Sequence, residues 1–227
     1  MVARGIETRE RLVEVALRLF REDGFQATTM RRIAGEAGVS LGNAYYYFAS
    51  KDGLVHELYL TVQQEHRDRA LPLLRQGAPL GENLRTVLHT GLDVIAPYHG
   101  FGASFMQTAL PTTSRSSPFS AESTDAREMA VDLMRLTVTA SHQRSSSALQ
   151  ERLPTLLWLA YMGVTLHWVI DSSPGQARTR ALADGAAPII SKAVSLSRMP
   201  GARSLVDDVV KLMAVLGAKG DGKVVTR

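Results

Sequence analysis

The sequence predicts an all-α fold in which a small N-terminal three-helix unit is joined by a long fourth helix to a larger helical domain. Three observations lead there. Apolar residues recur at 3.6-residue spacing from Thr8 to about Leu216, period-two alternation is scarce, and short Gly, Pro or Ser runs separate the stripes. With 227 residues, 45% of them hydrophobic, the chain is long enough for a small domain and a larger one.

Thr8 to Glu22 sets Leu12, Ala16, Leu19 and Phe20 on one face, arginine and glutamate on the other, and stops at Asp23-Gly24, where glycine suits a helix end. Thr28 and Thr29 offer hydroxyls to cap a second helix, Met30 to Ala37, which buries Met30, Ile33, Ala34 and Ala37 before Gly38. Ser40 caps a short third helix, Leu41 to Phe48. Ser50 caps a fourth, Lys51 to about Leu71, with an apolar stripe of Leu54, Val55, Leu58 and Val62. No flexible linker follows Pro72, so this helix is expected to join the two parts rigidly, with the domain boundary at residue 50 and the larger domain over 51–217. Further helices are expected at 82–97, 102–109, 121–149, 153–171, 176–198 and 202–217, with Pro188 kinking or splitting its segment. Leu110 to Ser120 reads as a loop and 218–227 as a disordered tail.

Composition excludes more than it assigns. The chain has no cysteine, which removes disulfides, thiolate metal sites and thiol nucleophiles. No cofactor or metal is expected. The opening residues carry charges every few positions, which fits neither a signal peptide nor a membrane span and points to a soluble, cytoplasmic protein. Leu153 to Asp171 is apolar almost all round and long enough for a bilayer, but Pro154, Thr155, Thr165 and His167 fit a helix buried in a bundle better. Net charge is +4, and within residues 1–51 Arg4, Arg9, Arg11, Arg18, Arg21, Arg31, Arg32 and Lys51 face six acidic residues. That balance alone does not mark a DNA-binding protein.

Two short helices joined by Gly38-Val39-Ser40 have the layout of a helix-turn-helix: glycine permits the turn and Val39 plugs the angle. Such a unit presents the helix Leu41–Phe48 as a rod for the DNA major groove, ~12 Å wide. An ordinary helical hairpin is the plain alternative. The stretch FQATTMRRIAGEAGVSLGNAYYYFASKDGLVHELY, preceded by TRERLVEVALRLFREDG, resembles the N-terminal DNA-binding domain of the tetracycline-repressor (TetR) family over roughly residues 8–60. The paired threonines, Ile33-Ala34, the Ala37–Ser40 turn, the aromatic run ending in Phe48, and Ser50-Lys51 carry the likeness.

The resemblance implies a role for each position. Arg31 lies near the groove, where a guanidinium reaches a guanine edge or a phosphate. Ser40, Leu41, Gly42 and Asn43 form the entering tip. Asn43 is the best base reader, Leu41 offers apolar contact and Gly42 close approach. Tyr45 and Tyr46 act as backbone clamps, and Tyr47 is left open between DNA and core. Lys51 sits where helix dipole and ammonium favour a phosphate. Thr28 and Thr29 cap and also contact phosphate. Leu41 stands where the family often has a polar or basic residue, and Ala44 where a larger aliphatic is usual.

For the larger domain, the resemblance implies a homodimer on a double-stranded DNA operator, with helices 153–171 and 176–198 of each subunit at the interface. The independent ground is that one short helix makes too few contacts, whereas two spaced by ~34–36 Å read a palindrome. Candidates to line a site for a small hydrophobic or aromatic ligand are Phe101, Phe105, Met106, Met129, Leu133, Trp158, Tyr161, Met162 and Trp168, with His142 and His167 as donors. Plain core packing is the alternative for each. The overall reading is a ligand-responsive transcriptional repressor and not an enzyme: no Gly-rich phosphate loop, HExxH pair or carboxylate cluster appears. An interaction module or a helical enzyme are the alternatives.

Overall fold

Helix α1 (Val2–Asp23) carries the first apolar stripe, with Leu12, Ala16, Leu19 and Phe20 fully buried. The computed structural model describes residues 2–100, 102, 115, 117–142, 147–199, 201, 208 and 211. Gly24 takes φ +84° at the end of α1 and turns the chain. The Thr28 hydroxyl donates to the Gly24 carbonyl (2.8 Å), tying down the connection to α2 (Met30–Glu36). Thr29 caps α2 by accepting from the Arg32 amide (3.2 Å). Gly38, at φ +68°, makes the sharp turn, and the Val39 amide donates to the Ala34 carbonyl (2.9 Å). Ser40 then caps α3 (Leu41–Tyr47) through the Asn43 amide (3.1 Å), and Ser50 caps α4 (Lys51–Ala70) through the Asp52 amide (3.2 Å). Each cap satisfies an amide that the first helical turn leaves without a partner.

The larger domain packs α5 (Leu80–Ile95), α6 (Thr124–Ala140), the short α7 (Ser147–Gln150), α8 (Leu153–Ile170) and α9 (Ala177–Leu196) around the second half of α4. One-turn 3-10 segments follow α4 at Leu71–Leu73, follow α5 at Ala96–Tyr98, and precede α9 at Pro174–Gln176. Helix α8 is long and apolar enough to cross a membrane, yet it buries Leu153, Leu157, Trp158, Tyr161, Val164, Trp168 and Val169 inside the bundle. Asp171 ends it. Burial opposes its charge, but hydrogen bonds from the Ser173 and Thr179 amides and hydroxyls (2.7–2.9 Å) hold its carboxyl far below the ordinary range and fix the corner into α9.

The structure departs from the sequence reading at several ends. Helix α1 starts at Val2 rather than Thr8. The segment expected over 121–149 stops at Ala140, because a distant loop takes over its last carbonyl: the Gly77 amide donates to Ala140 (2.7 Å) and the His142 amide to Ala78 (2.8 Å). Asn83 secures that junction, donating to Ser141 Oγ (3.0 Å) and the Arg75 carbonyl (3.0 Å). Pro188 does not split its helix. Its backbone instead packs on α5 at Gly81, where a Cβ would stand 3.3 Å from Pro188 Cα. The expected helices over 102–109 and 202–217 and the tail 218–227 lie almost wholly outside the described residues.

Gly91 of α5 marks the tightest approach. A Cβ there would meet the Tyr161 hydroxyl at 2.8 Å and His66 Cε1 at 2.9 Å. Gly91→Ala is therefore expected to destabilise the fold by about 1–3 kcal/mol through overpacking, read as a lower urea midpoint. An unchanged midpoint would show that α5 and α8 yield freely.

Candidate DNA-recognition surface and ligand cavity

Successive residues of α3 are about 100° apart, so its positions divide between two faces. Ala44 is wholly enclosed, Phe48 is buried, and Leu41 is half-buried against the same core. Gly42, Asn43, Tyr45 and Tyr46 face outward, as does the capping Ser40, with Tyr45 48% and Tyr46 81% exposed. Tyr47 turns back: it is half-buried, edge-on to Tyr46 (5.1 Å), with its hydroxyl 3.5 Å from where a Gly5 Cβ would stand. Enclosure of the Ala44 methyl makes that position one of packing.

Around this surface most cations are tied to acids. Arg18 pairs with Glu22 (2.9 Å) and Glu36, and Arg32 with Asp23 (3.0 Å) and Glu36 (3.1 Å). The Arg18 hydrogen bond, seconded by Arg32, holds the Glu36 carboxyl below its ordinary value. Arg9 pairs with Glu57 and lies over the Phe48 ring (5.2 Å), joining α1 to α4. Arg31 is exposed and makes no ion pair among the described residues, so its guanidinium is open to a partner.

Two expected phosphate contacts are corrected. Thr28 is fully buried and its hydroxyl is directed at the Gly24 and Leu19 carbonyls, leaving Thr29 as the exposed threonine. Lys51 draws its ammonium inward, donating to the carbonyls of Phe25 (2.7 Å) and Thr28 (2.8 Å) above the Phe25 ring (4.2 Å). Burial lowers its pKa. Two of its three donors thus hold the α1–α2 connection against α4. Lys51→Met should strand both carbonyls and lower stability by about 1–3 kcal/mol, measured by thermal unfolding. An unchanged melting temperature would place the ammonium in solvent.

Gly38-Val39-Ser40-Leu41-Gly42 also spells the Gly-x-Ser-x-Gly string of a hydrolase nucleophile. That motif needs a strand-to-helix elbow with its serine activated. Here Ser40 lies between two helices, and its Oγ accepts from the Asn43 amide.

The second feature is a cavity of about 140 Å³ in the larger domain. Helix α4 contributes Leu58, Tyr59, Val62 and Gln63, the end of α5 and its 3-10 turn Ile95 and Tyr98, and α6 Ala126, Arg127 and Ala130. Helix α8 supplies Trp158, Tyr161, Met162, Thr165, Trp168 and Val169. Burial pushes the Tyr59 hydroxyl well above its ordinary pKa, Tyr161 up to about 12, and Tyr98 upward, so all three face the cavity protonated at neutral pH. Behind Tyr161, burial depresses His66, which bonds through Nε2 to the Val87 carbonyl (2.8 Å) and is held neutral.

Of the ligand candidates, Trp158, Tyr161, Met162 and Trp168 come together here. Leu133 is instead sealed in the core, and Met129 lies in a separate depression with Arg135 and Thr155. Phe101, Phe105 and Met106 lie outside the described residues. His167 pairs with the Thr179 hydroxyl (2.8 Å), and neither it nor His142 is among the lining residues. The α4 wall went unforeseen, although Tyr59 and Gln63, four residues apart beside the apolar stripe, signal it. Tyr98 also carries the Arg21 guanidinium over its ring (5.7 Å), so the end of α1 touches the cavity wall.

An outward-facing second helix after a glycine turn, carried on a helical bundle with an apolar cavity, defines a two-domain helix-turn-helix protein of the all-helical kind. Residues 12–58 match the family described as bacterial regulatory proteins, tetR family, and residues 83–212 the tetracyclin repressor-like C-terminal domain. The chain belongs to the tetracycline-repressor family. It is 29% identical to the nicotine-responsive repressor HdnoR of Paenarthrobacter nicotinovorans over 89 residues, 39% of this chain and 44% of that protein. To the repressor KstR2 of Mycobacterium tuberculosis it is 48% identical over 50 residues, 22% of this chain and 25% of that protein. The chain thus spans less than half the length of these curated relatives. Two solved structures share the fold. A TetR-family regulator of Streptomyces coelicolor has TM-score 0.62 at 20% identity, covering 94% of this chain and 98% of its own. The repressor FadR of Thermus thermophilus, in complex with lauroyl-CoA, has 0.59 at 22%, covering 84% and 95%.

Proposed function

We propose that the protein is a ligand-responsive transcriptional repressor of the cytoplasm, binding a palindromic operator as a homodimer and released when a small, largely apolar molecule fills the cavity. The observation that carries this reading is that α4 belongs to both features: its first turns pack on α1 and lie beside Phe48 at the end of α3, and Leu58, Tyr59, Val62 and Gln63 wall the cavity. In this reading residues 1–50 form the DNA-binding domain and 51–217 the sensing and dimerising domain. Asn43 reads a base edge, Gly42 allows close approach, and Leu41 offers its exposed part to a thymine methyl. Thr29, Ser40, Tyr45 and Tyr46 meet the backbone, while Arg31 reaches a guanine or a phosphate.

Dimerisation falls to α8 and α9. Leu166, Ile170, Leu182, Ile189 and Leu196 are exposed on them, an apolar set that suits a two-fold partner. The cavity communicates with the recognition unit through Leu58 in α4 and through Tyr98 against Arg21 of α1. A ligand that favours one placement of these side chains changes the separation of the two α3 helices, and with it the fit to DNA.

Gel-shift assays on DNA upstream of the protein's own gene provide the test. The wild type is expected to retard one fragment specifically at low salt, and absence of any specific shift counts against the reading. Asn43→Ala should cost about 1–3 kcal/mol on the operator and almost nothing on random DNA. Equal losses on both would remove Asn43 from base readout.

A further inference from the structure

We infer that the cavity selects a compact, uncharged, ring-sized molecule bearing a hydroxyl group, with Gln63 and Thr165 as the residues that recognise the hydroxyl. The inference rests on the proposed role of the cavity as the effector site and specifies what it takes. Its walls are mostly apolar, and Val62, Ile95, Trp158 and Trp168 provide flat and branched surfaces for a hydrocarbon body. Set into those walls, Gln63 Oε1 is buried with no hydrogen-bond partner in the protein, and Thr165 Oγ1 is buried with only the neighbouring Tyr161 hydroxyl, one helical turn away, beside it. Buried polar atoms are normally paired, so two such atoms lining one apolar cavity mark where a bound molecule makes its polar contacts.

Their chemistry narrows the group. Gln63 Oε1 accepts only, so it calls for a donor, whereas the Thr165 hydroxyl donates or accepts. An alcohol or phenol answers both: its O–H donates to Gln63 and its oxygen accepts from Thr165. An ether or ketone answers only the second, and a hydrocarbon neither.

Charge narrows it further. No aspartate or glutamate stands among the described lining residues, so an ammonium group finds no counter-charge. Arg127, the charged residue among the described lining residues, donates to the carbonyls of Pro118 and Ser120 (both 3.0 Å) and to Thr124 Oγ1 (2.9 Å). Its guanidinium is thereby oriented to the 118–124 turn and away from a ligand. Size fits a single ring: a volume of about 140 Å³ is close to the ~150 Å³ of an apolar cavity that holds benzene.

The chain offers its own reporter, because its two tryptophans, Trp158 and Trp168, both line the cavity. Fluorescence titration of the full-length protein with phenol, anisole, benzene, benzoate and benzylamine tests the inference. Phenol is expected to bind about tenfold or more tighter than anisole and benzene, with benzoate and benzylamine weaker still. Gln63→Leu and Thr165→Val, checked for unchanged melting behaviour, should each erase much of the phenol preference while leaving benzene affinity in place. Equal affinity for phenol and benzene, tightest binding of benzoate or benzylamine, anisole matching phenol, or a preference that survives Gln63→Leu would each overturn the assignment. These outcomes separate from failure of the effector reading. If phenol binds with the expected preference but leaves the operator gel shift unchanged, the regulatory role falls and the hydroxyl site stands. If no probe alters tryptophan emission, the hydroxyl assignment falls, and the effector reading is decided by the gel shift alone.

Discussion

Leu54, Val55, Leu58, Val62, His66 and Ala70 are buried along α4, which packs on α1 of the N-terminal unit and on α5 and α6 of the larger domain. One continuous helix therefore has its apolar face buried twice, and the rest of the molecule is placed by that constraint. From Lys51, which grips the α1–α2 connection, to Gln63 in the cavity wall is about 18 Å at helical rise. The Arg9–Glu57 pair also joins α1 to α4, and the Arg21–Tyr98 contact joins the end of α1 to the turn after α5.

The N-terminal unit uses its charges mainly on itself. Arg18 and Arg32 are engaged by Glu22, Asp23 and Glu36, and the ammonium of Lys51 is turned toward backbone carbonyls. Exposed ion pairs of this kind add little stability individually. Their effect is orientational: they fix α1 to α2 and leave α3 to present neutral groups, the Asn43 amide and the Tyr45 and Tyr46 phenols. A domain with few open cations should neutralise few phosphates and show a shallow salt dependence. Under the proposed function, selectivity then rests more on the shape and hydrogen bonding of the α3 tip than on charge.

What the sequence made legible was local. Thr29, Ser40 and Ser50 cap the helices they were expected to cap, because capping needs only neighbouring residues. Tyr45 and Tyr46, set outward by the family resemblance, are exposed. What stayed hidden was set by partners distant in the chain. The end of α6 at Ala140 depends on a loop near Ala78, and the inward turn of Lys51 on carbonyls of residues 25 and 28. The cavity divides the same way: Trp158 and Trp168 were recognisable as bulky groups on an apolar helix. The spacing of Tyr59 and Gln63 beside the α4 stripe was the one local sign of the facing wall, and periodicity gave no means of seeing that Leu133 would be sealed in the core.

Under the proposed function, two copies of α3 are held at a spacing the DNA groove repeat requires, and filling the cavity alters that spacing. The absence of cysteine makes a direct measurement clean, since Ala49→Cys, at an exposed position just beyond α3, puts one spin label on each chain. Pulsed dipolar spectroscopy is expected to give an intermolecular distance that narrows to one population on operator DNA and shifts when the effector is added. No intermolecular coupling at all, or one distribution unchanged by both DNA and effector, would contradict it.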